Sequence, residues 1–243
     1  MIDGVSKRVC HALVYQWGEV AAEIQRIRPS ADVRPHDGWQ VFEAVPGSPP
    51  ERIDVQIKPI IFNLPERATH TTKDLYVVAQ GRMSFERGAF VDAKKLLTHD
   101  FGTEVGYFRR TSGGLDHIYG AHYDFALDAI GHPTFHAQMT SMAGLGQVID
   151  DDSGVPTVVT DRMSLILKTV RLPIAQMDVF SLIVQVCADH LLHSESGPEE
   201  KSAFCALLNR SAFCQGAGYR VLRLGTDEAR ICYRARHWYP SAR

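Results

Sequence analysis

The chain has 243 residues, 45% of them apolar and 22% charged, with a formal net charge of −2. This is ordinary globular composition, long enough to bury a core without disulfides, and it excludes a whole-surface basic field that would attract nucleic acid by itself. Five cysteines, odd in number and with no CxxC pair, argue for a reducing compartment and against a disulfide framework.

The first twenty residues lack an uninterrupted apolar run, so no secretory leader is expected. The most apolar stretch, 174–192, is broken by Asp178, Gln185 and Asp189, which argues against a membrane span. These features point to a single domain over 1–243 in a cytoplasmic protein with no membrane partner. Helical spacing of Val9, Leu13, Val20, Ile24 and Ile27 predicts a helix over 6–28, stopped by Pro29. A short strand is expected over 39–45. In the next strand Ile53, Val55 and Ile57 alternate with Asp54, Gln56 and Lys58, and Pro59 marks a bulge or an edge. A strand over 75–85 and a short helix over 89–97 follow.

The middle of the chain reads as a hairpin series. Strands are expected over 104–110, 115–128 and 132–140. They are joined by a two-residue turn at Gly113-Gly114 and a three-residue loop at Ala129-Ile130-Gly131. A polar, glycine-rich connection leads to a short strand over 155–160. The period then changes. Pro173 opens a helix in which Met177, Phe180, Val184, Cys187 and Leu191 form a stripe, and a second helix covers 198–214. A last strand is expected over 228–240. The fold class is therefore α+β: an antiparallel sheet meander of about six to eight strands, with an N-terminal helix and two C-terminal helices packed on one face.

The two turns fix registers. The Gly113-Gly114 turn pairs Phe108 with Tyr119 and Arg109 with Ile118; the three-residue loop pairs Asp124 with His136 and His122 with Gln138. One sheet face then carries Phe108, Tyr119, Ala121, Tyr123, Ala137 and Met139, with the apolar helix as its cover. The other carries Tyr107, Arg109, His122, Asp124, His136 and Gln138, with no lysine and no glutamate among them. Such a face is either a solvated sheet surface or a ligand site. In the second case His136 is the general base, Asp124 its orienter, His122 the acid and Arg109 the clamp on developing charge, with Tyr107 and Gln138 beside them. Histidines and a carboxylate also suit zinc, but no HExxH-type spacing is present, so no metal site is assigned and the sequence names no cofactor.

Other clusters have simpler explanations. Asp150, Asp151 and Asp152 read as a solvated loop without EF-hand spacing. His190 and His193 suit a helix C-terminus. Arg230, Arg234 and Arg236 interleave with Tyr233, Trp238 and Tyr239, as at a single-stranded nucleic-acid surface, a protein hot spot or a half-buried strand. No Walker, dinucleotide-binding or GxSxG motif occurs. Together these residues predict binding of a polar or anionic ligand, with nucleic acid or a nucleotide preferred because of Arg109, Arg110 and the basic C-terminal strand that carries Arg234 and Arg236. Phosphodiester hydrolysis is the reaction to test. The other reading is a non-catalytic interaction subunit that meets a protein partner through the same surfaces.

Overall fold

The computed structural model describes residues 2–36, 38, 40–64, 75–125, 135–149, 158–163, 171–173 and 177–211. The loop 129–131, the acidic run 150–152 and the strand expected over 228–240, with Arg234 and Arg236, lie outside these residues.

Helix α1 (Gly4–Ile27) forms where the periodicity places it. Asp3 caps it, accepting hydrogen bonds from the Val5 and Ser6 amides at 2.8 and 3.1 Å. Its buried stripe of Val9, Leu13, Trp17, Val20, Ile24 and Ile27 lies against the sheet. The Asp3 carboxylate also receives both terminal nitrogens of Arg87, tying this cap to α2 (Arg87–Ala93).

Among the described residues, nine strands form one sheet: β1 (Asp32–Pro35), β2 (Phe42–Ala44), β3 (Arg52–Leu64), β4 (Leu75–Glu86), β5 (Thr98–Thr111), β6 (Gly114–Phe125), β7 (Phe135–Met139), β8 (Val159–Asp161) and β9 (Arg171–Pro173). The main order is β1-β3-β4-β5-β6-β7-β9, an antiparallel meander through its long central strands. β2 adds to β3, and β8 runs parallel to one end of β6. The β3–β4 register shifts between Ile57 and Ile60, where Pro59 cannot donate to the ladder.

Helices α3 (Val179–His190) and α4 (Pro198–Ser211) follow. They share with α1 and one sheet face a single apolar cluster, in which Phe180, Ile183, Val186, Cys187, Ala203 and Leu207 are fully buried. The helix expected to open at Pro173 begins later. Pro173 ends β9, paired with His136 at the edge of the path, where a missing N–H is tolerated. The cap is Asp178, whose carboxylate accepts from the Phe180 and Ser181 amides at 3.0 and 3.1 Å.

The opposite face carries a second, smaller core. Ile61, Tyr76, Val78, Phe108 and Leu115 are covered there by Leu145 and Ile149 from the 3₁₀ turn Ala143–Val148 and its end. Residues 143–149 are thus a lid on one end of this face, and among the described residues the other end is an open cleft. No helix among the described residues is long and apolar enough to cross a membrane.

The β5–β6 hairpin departs from the expected register. Thr111 pairs with Gly114, so the turn is Ser112-Gly113, and Gly114 takes φ 132° beside it. Leu115 enters the second core, 1% exposed. The pairing then shifts between Tyr107↔Tyr119 and Phe108↔His117, leaving Ile118 as an extra residue. Phe108 therefore packs on His117 on the lidded face, with ring centroids 5.2 Å apart. Tyr107 packs on Tyr119 and on His190 of α3, on the helix-covered face. The expected assignments of Phe108 and Tyr107 are exchanged, and strand alternation carries Arg109 across with Tyr107.

Candidate functional site

Two polar rows cross the open end of the sheet. In one, Gln80 pairs with Glu104, Glu104 with His122 and His122 with Gln138. In the next, Gln56 pairs with Arg82, Arg82 with Gly102, Gly102 with Asp124 and Asp124 with His136. Period-two alternation puts all these positions on one face while Ala79, Met83, Phe101, Val105, Ala121, Tyr123 and Ala137 enter the helix-covered core. Apart from Gln138 and His136 on the short strand β7, the polar rows stand on the long central strands β3 to β6, which hold their positions firmly.

Gln56, Gln80, Arg82, Glu104, His122 and Asp124 line a cleft of about 320 Å³. Gly102 forms part of its floor: a Cβ there would stand 3.1 Å from Asp124 Oδ1 and 3.3 Å from Arg82 Nε. Gln80 donates to Glu104 at 2.6 Å, and Arg82 reaches Asp100 at 3.5 Å. The formal charge of the lining is one guanidinium against two carboxylates.

The reactive groups sit at one end. His122 Nε2 lies 3.1 Å from Asp124 Oδ2, and the His122 and His136 rings meet edge to face at 6.1 Å. One donor atom from each of His122, Asp124 and His136 falls within 4.8 Å of the others. His122 and Asp124 side chains are 26% and 37% exposed, whereas His136 is 2% exposed and lies behind them. Burial alone would raise the Asp124 pKa. The hydrogen bond with His122 and the charges of His122, His136 and Arg82 outweigh it, and the pKa lies below the ordinary aspartate value. The arrangement can orient an imidazole toward a ligand, or converge three donors on a cation.

The structure thus brings His122, Asp124, His136 and Gln138 together. Tyr107 and Arg109 lie on the other face. Burial, with Asp189 and Tyr119 alongside, pushes the Tyr107 phenol up to about 12, so it keeps its proton at neutral pH as a packing group. Sequence reasoning missed Gln80, Arg82 and Glu104. The signal was present: in β4, Tyr76 and Val78 give way at even positions to Gln80, Arg82 and Ser84, while the odd positions stay apolar or small.

A second histidine cluster is structural. His117, fully buried, holds Asp161 Oδ1 at 2.9 Å through Nδ1 and accepts the Met142 amide at Nε2. Ser141 donates to Asp161 and not to the imidazole, so no nucleophile–base pair forms. The three residues fasten β8 and the lid to β6.

No family model matches the chain, and neither the curated proteins nor the solved structures give a match.

Proposed function

We propose that the open sheet face is a binding cleft for a small polar molecule, and that His122 and Asp124 carry out acid–base hydrolysis on it. The supporting observation is the convergence of an imidazole–carboxylate pair with Arg82, Glu104, Gln56 and Gln80 on one cleft of about 320 Å³. That volume suits one small molecule and not a length of polynucleotide. A phosphodiester of that size is the substrate class to test. His122, open to the cleft and held by Asp124, takes the role of general base in place of the buried His136. Arg82, on the cleft wall, takes the charge-stabilising role in place of Arg109.

The test is turnover of bis(4-nitrophenyl) phosphate by the full chain. Expected is measurable hydrolysis that falls about 100-fold or more in His122→Ala with circular dichroism unchanged. An absence of hydrolysis by the wild-type chain, or hydrolysis indifferent to His122→Ala, overturns the reading.

A further inference from the structure

We propose that His122, Asp124 and His136 form a binding site for one divalent first-row transition metal ion, of the two-histidine, one-carboxylate kind. The inference rests on reading this cleft as the functional site and gives that site a cofactor; with the ion bound, His122 and Asp124 act as its ligands, and the base and orienter roles belong to the metal-free protein. Two donors come from one strand at positions i and i+2, hence from one face; the third comes from the residue directly across the next ladder. This places imidazole, carboxylate and imidazole around one point with no loop involved. Donor atoms within 4.8 Å of one another need only small rotamer changes to close on an ion, because metal–ligand bonds of about 2.0–2.2 Å set neighbouring donors roughly 3–3.5 Å apart.

The donor set selects the ion. Two imidazoles and one carboxylate favour zinc, iron(II), cobalt(II) or nickel(II) over calcium and magnesium, which prefer oxygen ligands. Local charge points the same way. The cleft lining holds two carboxylates against one guanidinium, and Arg82 is shared with Asp100. A dication beside Asp124 would reverse that excess and leave the cleft able to accept an anion such as a phosphoryl group. His136 would anchor the ion from the buried side, while the positions left open face the cleft beside Glu104 and Arg82.

The experiment titrates chelator-treated full chain with cobalt(II), following its visible absorption and the heat of binding. Expected is one equivalent bound with micromolar or tighter affinity, weakened at least 100-fold by His122→Ala and by Asp124→Asn. His99→Ala, on β5 but outside the cluster, should bind as wild type does. His136 is buried and its alanine variant risks misfolding, so the two cleft-facing variants decide. No binding by wild type, or binding unchanged in both variants, overturns the site. Hydrolysis of bis(4-nitrophenyl) phosphate in excess chelator separates this result from the proposed function. If cobalt does not bind but chelator-resistant, His122-dependent hydrolysis persists, the metal site falls and the hydrolytic reading stands. If cobalt binds as described but no phosphodiester is hydrolysed with or without metal, the metal site stands and the hydrolytic reading falls.

Discussion

Asp124 stands directly across the β6–β7 ladder from His136, yet its carboxylate turns along its own strand to His122, 3.1 Å away. Register alone puts Asp124 nearest His136; exposure separates the two imidazoles, since His136 is enclosed and His122 opens to the cleft. Asp124→Asn keeps the shape and removes the charge. Hydrolysis should fall roughly 100-fold, because the amide can hold the ring but not stabilise it once protonated. The pair is partly exposed, so unfolding free energy should change by less than about 1 kcal/mol. Wild-type turnover in the variant would remove Asp124 from the machinery.

Two arginines give opposite expectations. Arg82 lines the cleft, whereas Arg109 pairs with Asp116 and alternates onto the face of Tyr107. Arg82→Ala should reduce turnover by about 10- to 100-fold, as loss of a charge-stabilising donor does. Arg109→Ala should leave it unchanged. Equal effects from both would mean that the β5–β6 register is not the one described.

Glycines on β5 separate cleft from core. A methyl at Gly102 meets only the movable ends of Asp124 and Arg82, at 3.1 and 3.3 Å. A methyl at Gly106 stands 2.7 and 2.9 Å from the Phe108 ring, which the lid holds in place. Gly102→Ala should therefore keep the melting temperature close to wild type while lowering turnover. Gly106→Ala should destabilise by about 1–3 kcal/mol, the usual cost of overpacking. Similar melting temperatures for the two would contradict the tight seat of Phe108.

How much of this was legible depended on how local each signal is. Helix α1 and the β6–β7 register follow from short-range patterns: apolar spacing, and a loop length that brings Asp124 opposite His136. Hence the His122–Asp124–His136–Gln138 group could be read directly. The β5–β6 register could not. One extra residue at Ile118 shifts the pairing by one and exchanges the faces of Tyr107 and Phe108 relative to Tyr119 and the rest of β6, and nothing near it in sequence marks a bulge. The glycine-rich connection looked polar because its two anchors, Leu145 and Ile149, are few. Only the partners across the sheet, Phe108 and Leu115, make them core residues. Arg82 and Glu104 are distant in sequence from His122 and meet it only through strand order.

The helix-covered core offers a direct energetic test. Phe180 is fully buried in α3 and stacks on Phe42 of β2, with centroids 5.9 Å apart and planes 17° from parallel. It joins the helix layer to a three-residue strand paired along its whole length with β3. Phe180→Ala should cost about 3–5 kcal/mol, from lost transfer energy and the cavity left behind. A urea midpoint equal to wild type would place the ring outside the core.

Asp161 makes acid stability a test of the lid. Its carboxylate accepts hydrogen bonds from Ser141 at 2.5 Å and the Met163 amide at 3.0 Å, and meets His117 Nδ1 at 2.9 Å. Burial pushes its pKa upward, but the hydrogen bonds and the His117 interaction outweigh that and bring it to about 2, against 3.8 for the free side chain. The folded state thus binds this proton more weakly than the unfolded chain. The stabilisation is fully present above about pH 4 and is lost as pH falls through about 2. Asp161→Asn cannot titrate. The stability difference between wild type and this variant should be widest at neutral pH and narrow steadily between pH 4 and pH 2. Urea unfolding of both proteins at pH 7, 4, 3 and 2 measures it. A difference that stays constant to pH 2, or widens on acidification, would show that the carboxylate does not hold β8 and the lid to β6.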